Sequence, residues 1–342
     1  MSSYLVRSAH AHGMHPMRFT SLHFPGAQVW TRDIDLHVQA PVLKTIAQAA
    51  NLSLGTLRSM TLADLIPARS GEHHACCGQS KWVTSVGMHG RSRTRFGLRY
   101  CPACLRADNA FLRPWRLTFT FACRIHHRML EDHCSTCGAP VVPHRARSVS
   151  SICHRCGMLL GGSSESRSSS VVDDALKVQD KFLCFCERDK ILVADTLVDT
   201  PDFFAGVGLL LTILREKMHS RQGVFDAEDR AVLDSHEALR LSNTAVRLRL
   251  FTRTLDIIER WPDEFLRIAT ATCMTQAAFA HYGSAPPWLA DQIKLLPERL
   301  RPRYTYRGAT LVKRVRQIEE DGGARCRERR ARELMAAARK WS

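Results

Sequence analysis

Four short units in the middle of the chain carry residues suited to holding a metal: Cys101-Pro-Ala-Cys104, Cys123-Arg-Ile-His126, Cys134-Ser-Thr-Cys137 and Cys153-His-Arg-Cys156. In each, two residues separate the ligands, which lets a tight knuckle turn aim both side chains at one tetrahedral ion. One such unit means little, but four within residues 101–156 supply eight ligands, enough for two closed zinc sites. With no open position left, both zinc ions are expected to be structural and to contribute folding energy to a region with a thin core. A redox dithiol would need one CxxC in a βαβ setting, and a Cys123–His126 nucleophile would need an oxyanion hole; neither accompanies these units. His126 argues against an iron–sulfur cluster at the first site.

The intervals between units are 18, 7 and 15 residues. Sequential pairing joins Cys101, Cys104, Cys123 and His126, then Cys134, Cys137, Cys153 and Cys156. Interleaved pairing, as in a RING finger, would need the two middle units nearly contiguous, so sequential ribbons are expected. His127 is the fallback for His126. The His73-His74-Ala75-Cys76-Cys77 run reads as incidental, because adjacent cysteines share a tetrahedral ion poorly. Cys184, Cys186, Cys273 and Cys326 read as packing residues or free thiols.

Nine arginines and one acid, Asp108, lie between residues 91 and 128. Arginine suits bidentate contact with phosphate, and Phe96, Tyr100 and Trp115 offer stacking faces. Arg91, Arg93, Arg95, Arg99, Arg113, Arg116 and Arg124 are therefore candidate nucleic-acid contacts, with a solvated ribbon surface as the plain alternative. The whole chain has 49 basic and 33 acidic residues, a net charge of +16. That excess favours an anionic polymer such as DNA as partner.

The elements that must position these residues are mainly helical, with a small β-knuckle region. Residues 5–22 and 43–60 echo each other at an offset of 38: helix, a breaker (Gly13 or Asn51), and a second short helix, with Ser53 a candidate N-cap. This is a helix–turn–helix shape, equally readable as two helical hairpins that touch no DNA. Residues 76–100 alternate as short strands. The expected organisation is a helical region 1–75, tandem zinc ribbons 76–160, a Ser/Gly linker 161–172, a helical region 173–298 and a basic tail 299–342. In the helical region, one helix is expected over 235–261, stopped by Pro262, and another over 263–283, closed by Gly283. No apolar run reaches membrane-spanning length and no secretory signal is visible, so a cytoplasmic protein without disulfides is expected.

At this point the residues resemble a family. "FGLRYCPACLRAD", "WRLTFTFACRIHHRMLEDHCSTCGAPV" and "CHRCGMLL" are similar to the cysteine motif of the TniQ/TnsD family of bacterial transposition proteins. "SSYLVRSAHAHGM" and "FTSLHFPG" resemble its N-terminal helix–turn–helix region, and "WPDEFL" (261–266) a feature of its helical C-terminal part. Family members often read CPxHG where this chain has Cys123-Arg-Ile-His126-His127, so the turn glycine is replaced. Asn51 stands where glycine is common, and the chain starts abruptly against the family pattern.

The resemblance implies a non-enzymatic, nucleoid-associated accessory protein that selects a transposition target, by binding DNA or by docking on an RNA-guided CRISPR effector complex. It further implies recruitment of an AAA+ ATPase and a DDE transposase. The eight knuckle residues carry over as zinc ligands; no DNA contact does. A homodimer is left open. A DNA-binding transcription regulator is the alternative, and a RING-type ligase a further one. The sequence shows no carboxylate triad and no phosphate-cradling loop.

Overall fold

Two helical hairpins open the chain, and their caps explain the 38-residue echo. The computed structural model describes residues 1–63, 80–84, 96–161, 169–219 and 239–298, apart from Gln28 and Arg32, together with positions 65, 86, 88, 89, 92 and 93. In it, α1 (Ser2–Ala11) and α2 (Pro16–His23) are followed by α3 (Ala40–Ala50) and α4 (Leu54–Ser59). Gly13 and Asn51, 38 positions apart, both lie in the left-handed region at φ 64° and 49°. The next matched pair, His15 and Ser53, caps the second helix of each hairpin: His15 accepts from the Met17 N–H and Ser53 from the Thr56 N–H. Phe19 and Leu57, another matched pair, are both buried. The repeat is thus a repeat of turn chemistry as much as of apolar spacing.

The middle region holds β1 (Met88–His89) antiparallel to β2 (Ser92–Arg93), α5 (Pro102–Asp108), and β3 (Ala122–Cys123) antiparallel to β4 (Arg128–Met129). Its side chains form a core of their own around Leu98, Tyr100, Trp115, Leu130 and the cysteines. Gly97 is required here: a Cβ would sit 2.3 Å from the Val141 backbone nitrogen.

The rest is a helical layer: α6 (Ser169–Cys186), a hairpin of β5 (Lys190–Val193) and β6 (Thr196–Asp199), α7 (Thr200–His219), α8 (Thr244–Glu259), α9 (Asp263–Ala271), α10 (Gln276–Ala280) and α11 (Pro287–Ile293). One apolar core joins these helices to Trp82, Leu117, Phe119 and Phe121 of the middle region. Met1–Leu296 form one compact unit. The described residues are thus mainly helical with few short strands.

Four expectations for this part change. The helix expected over 235–261 starts at Thr244, because the Asn243 side chain caps it by accepting from the Val246 N–H at 2.8 Å. The helix expected over 263–283 is two, α9 and α10. Cys273 turns the chain at φ 51° and Thr275 caps the second piece. The β5–β6 hairpin lies where only helix was expected, and α6 starts at Ser169.

Candidate metal centres

The first cluster is built by α5 and the β3–β4 turn. Cys101 is the residue before Pro102, which opens α5, and Cys104 lies one turn in. Cys123 ends β3, and His126 sits in the turn to β4. Cys104 Sγ lies 3.6 Å from Cys123 Sγ and 3.2 Å from His126 Nδ1. His126 Nδ1 is 3.6 Å from Cys101 Sγ and 3.7 Å from Cys123 Sγ. In the second cluster, Cys134 and Cys156 sulfurs are 3.8 Å apart and those of Cys137 and Cys153 3.7 Å. Within each cluster all four ligand atoms lie within 4.8 Å of one another.

These separations fit zinc. A tetrahedron with zinc–sulfur bonds of about 2.3 Å has sulfur–sulfur edges of about 3.8 Å, and sulfur–nitrogen edges near 3.5 Å. They are far too long for disulfides at about 2.05 Å, and all eight side chains share the donor types of closed structural sites. The two clusters can therefore hold two zinc ions, and the pairing is sequential. The interleaved arrangement of a RING finger is absent. Burial pushes the Cys104 and Cys153 thiols up to about 12, so metal entering the clusters displaces protons.

His127 has a different task from His126. It follows the fourth ligand of its cluster at φ 40°, the position held by Gly157 (φ 75°) after Cys156. Gly138 (φ 65°) closes the Cys134–Cys137 knuckle in the same way. A histidine here does a glycine's work in the turn, and it stands outside the ligand set.

The arginines divide. Arg91 and Arg95, the side chain of Arg93, and the His73–Cys77 run lie outside the described residues, as do Cys326 and the basic tail. Arg99 and Arg116 are corrections to the nucleic-acid expectation, because both side chains are internal, at 1% and 4% exposure. Arg99 donates to the carbonyls of Leu117 and Thr120. Arg116 binds Asp33 and Asp35, and donates to the Thr84 carbonyl at 2.9 Å. Tyr100 and Trp115 are buried in the ribbon core and offer no stacking face. Arg124 is exposed but pairs with Asp180 of α6 at 2.6 Å. Arg113 is half-buried.

Sequence reasoning missed the polar residues that clamp the ribbons to their neighbours. The buried Gln179 of α6 accepts from the Phe121 and Ala122 N–H groups at 2.8 and 3.1 Å, fixing the strand that delivers Cys123. Asp132, two residues before Cys134, accepts from the Thr244 N–H at 2.7 Å and its hydroxyl at 2.9 Å, at the start of α8. On the other side, Trp30 stacks on the buried His144 at 4.7 Å between ring centroids. No local pattern marks such contacts; each partner is dozens of residues away.

Fold and clusters define a helical protein carrying tandem zinc-binding ribbons. Among the described residues, no helix is long and apolar enough to cross a membrane. Residues 1–130, which hold both hairpins and the first cluster, match the TniQ family model. A search of curated proteins finds no match.

Proposed function

We propose that the protein is a non-catalytic target selector. It recognises the insertion site and brings the AAA+ regulator, and through it the DDE transposase, to that site. The observation that carries this reading is the TniQ domain joined to two ribbons whose cysteines sit in closed four-ligand clusters, leaving no metal position for a substrate.

The eight knuckle residues are the zinc ligands in this reading. Direct duplex contact falls to the helical hairpins, where Arg18, Lys44 and Arg58 are exposed, and to Arg91, Arg93 and Arg95. A direct DNA selector loses duplex binding when Arg18, Lys44 and Arg58 become glutamine. A protein that docks on an RNA-guided complex keeps its targeting in that variant. A transposition assay with the ATPase and transposase supplied tests the reading as a whole. Insertion should become untargeted or cease without this chain. Unchanged targeting in its absence, with control of a nearby promoter instead, would favour a transcription regulator.

A further inference from the structure

We infer that the second cluster is an oxidation site, at which hydrogen peroxide joins Cys156 to Cys134 and so releases the cluster's zinc ion.

The two clusters differ in what solvent can reach. In the first, Cys101, Cys104 and Cys123 are at most 4% exposed, and only the His126 ring reaches water. In the second, Cys134 and Cys153 are buried, Cys137 is half-buried and Cys156 is exposed. Cys156 stands at the tip of its knuckle, where Arg155 and Gly157 are exposed as well. Met158 and Leu159, just beyond, are 55% and 52% exposed. A zinc-bound cysteine is a thiolate, the form that oxidants attack, and access then decides which one reacts.

The chemistry closes within the cluster. The Cys156 thiolate attacks peroxide: an S–O bond forms, the O–O bond breaks, and hydroxide leaves beside a sulfenic acid. The Cys134 thiolate, 3.8 Å away, then attacks that sulfur. An S–S bond forms, the S–O bond breaks and a second hydroxide leaves. The two thiolates together lose two electrons, and peroxide is reduced to two hydroxides that solvent protonates to water. Cys137 and Cys153 remain, and two ligands do not make a closed four-coordinate site.

Loss of this ion reaches the helical hairpins. The 15 residues between Cys137 and Cys153 form a loop whose ends the cluster ties together. From that loop, His144 stacks on Trp30, and the Ala146 carbonyl oxygen lies 3.3 Å from His10 Nε2 of α1. A single Cys134–Cys156 bond holds the loop less tightly than four ligands on one ion. Oxidation therefore loosens the ribbon's hold on the first hairpin while the first cluster keeps its ion.

The test treats the full chain, loaded with two zinc ions, with graded hydrogen peroxide at neutral pH. A chromogenic chelator follows zinc release, and peptide mapping without reduction locates disulfides. Wild type should release one ion per chain and gain a Cys134–Cys156 disulfide, with Cys101, Cys104 and Cys123 still reduced. Dithiothreitol and added zinc should restore two ions. Cys156→His gives the second cluster the donor set of the first, three cysteines and a histidine. It should hold two ions and release zinc at least tenfold more slowly than wild type. Hydrogen exchange in oxidised wild type should show residues 138–152 and α1 losing protection. Release of both ions together, or release from Cys156→His as fast as from wild type, overturns the inference. So does an oxidised wild type without a disulfide at Cys156, a result that stands whether or not the variant binds its second ion.

Discussion

Arg116 Nη1 lies 2.7 Å from Asp35 Oδ2, with both side chains more than nine-tenths buried, and this pair locks the helical hairpins to the zinc ribbons. Asp33 joins the same guanidinium, and the Arg116 carbonyl accepts from the Thr84 N–H at 2.8 Å. Burial alone would lower the Arg116 pKa, but the two carboxylates outweigh it and raise it. Arg116→Met leaves Asp33 buried without its cation and takes from Asp35 one of its two, the Met1 ammonium at 3.1 Å remaining, which should cost about 3–5 kcal/mol. Arg116→Lys should recover only part of this, since one ammonium cannot span both carboxylates and the Thr84 carbonyl. Guanidinium denaturation of the three proteins measures it.

Metal content should be two zinc ions per chain by mass spectrometry of the native protein. Cys104→Ser and Cys137→Ser should each retain one, because the clusters share no ligand. Loss of both ions from either single variant would show that the ribbons fold as one cooperative unit. Chelation should unfold residues 95–160, seen as loss of amide protection there.

His127→Gly should stabilise the chain by about 0.5–1 kcal/mol and leave both zinc ions in place, since glycine reaches positive φ without steric cost. His126→Ala should lose one ion. The contrast between adjacent histidines separates turn residue from ligand in one pair of variants.

His144 sets a pH dependence. Burial chiefly, with Arg145, His154 and His15 adding like charge, lowers its pKa from the ordinary 6.5 to about 4. Between those values the unfolded chain binds the proton and the folded chain does not, so stability rises with pH across that window. The contribution is fully present above about pH 6.5 and is lost as pH falls toward 4. It amounts to at most about 3 kcal/mol. The wild-type minus His144→Gln difference in unfolding free energy, followed from pH 7 to pH 4.5, should shrink by an amount of that order. A difference flat with pH would show that His144 titrates alike in the folded and unfolded chain, so that the fold does not lower its pKa.

Much of the site is readable because its information is local. A knuckle is defined by four consecutive residues, so Cys101 with Cys104, or Cys153 with Cys156, can be recognised without knowing the fold. The hairpin echo is local too, since Gly13 and Asn51 each end a helix by their own backbone preference. The β5–β6 hairpin is hidden for the complementary reason. Ala194 takes φ 48° at its turn, where a hairpin usually advertises itself with asparagine or glycine. Thr275, likewise, is an ordinary residue until a cap forms at it.

The sequence by itself determined the ligand set, its division into pairs and the helical frame, because ligand spacing, helix periodicity and capping act over a few residues. Tertiary structure alone decided the fate of the arginines. Arg99, Arg116 and Arg124 are chemically identical in the sequence, yet one is buried against carbonyls, one is buried against two aspartates and one is exposed beside Asp180. A cation's role depends on which acceptor the folded chain brings to it, and the aspartates of Arg116 come from more than eighty residues away.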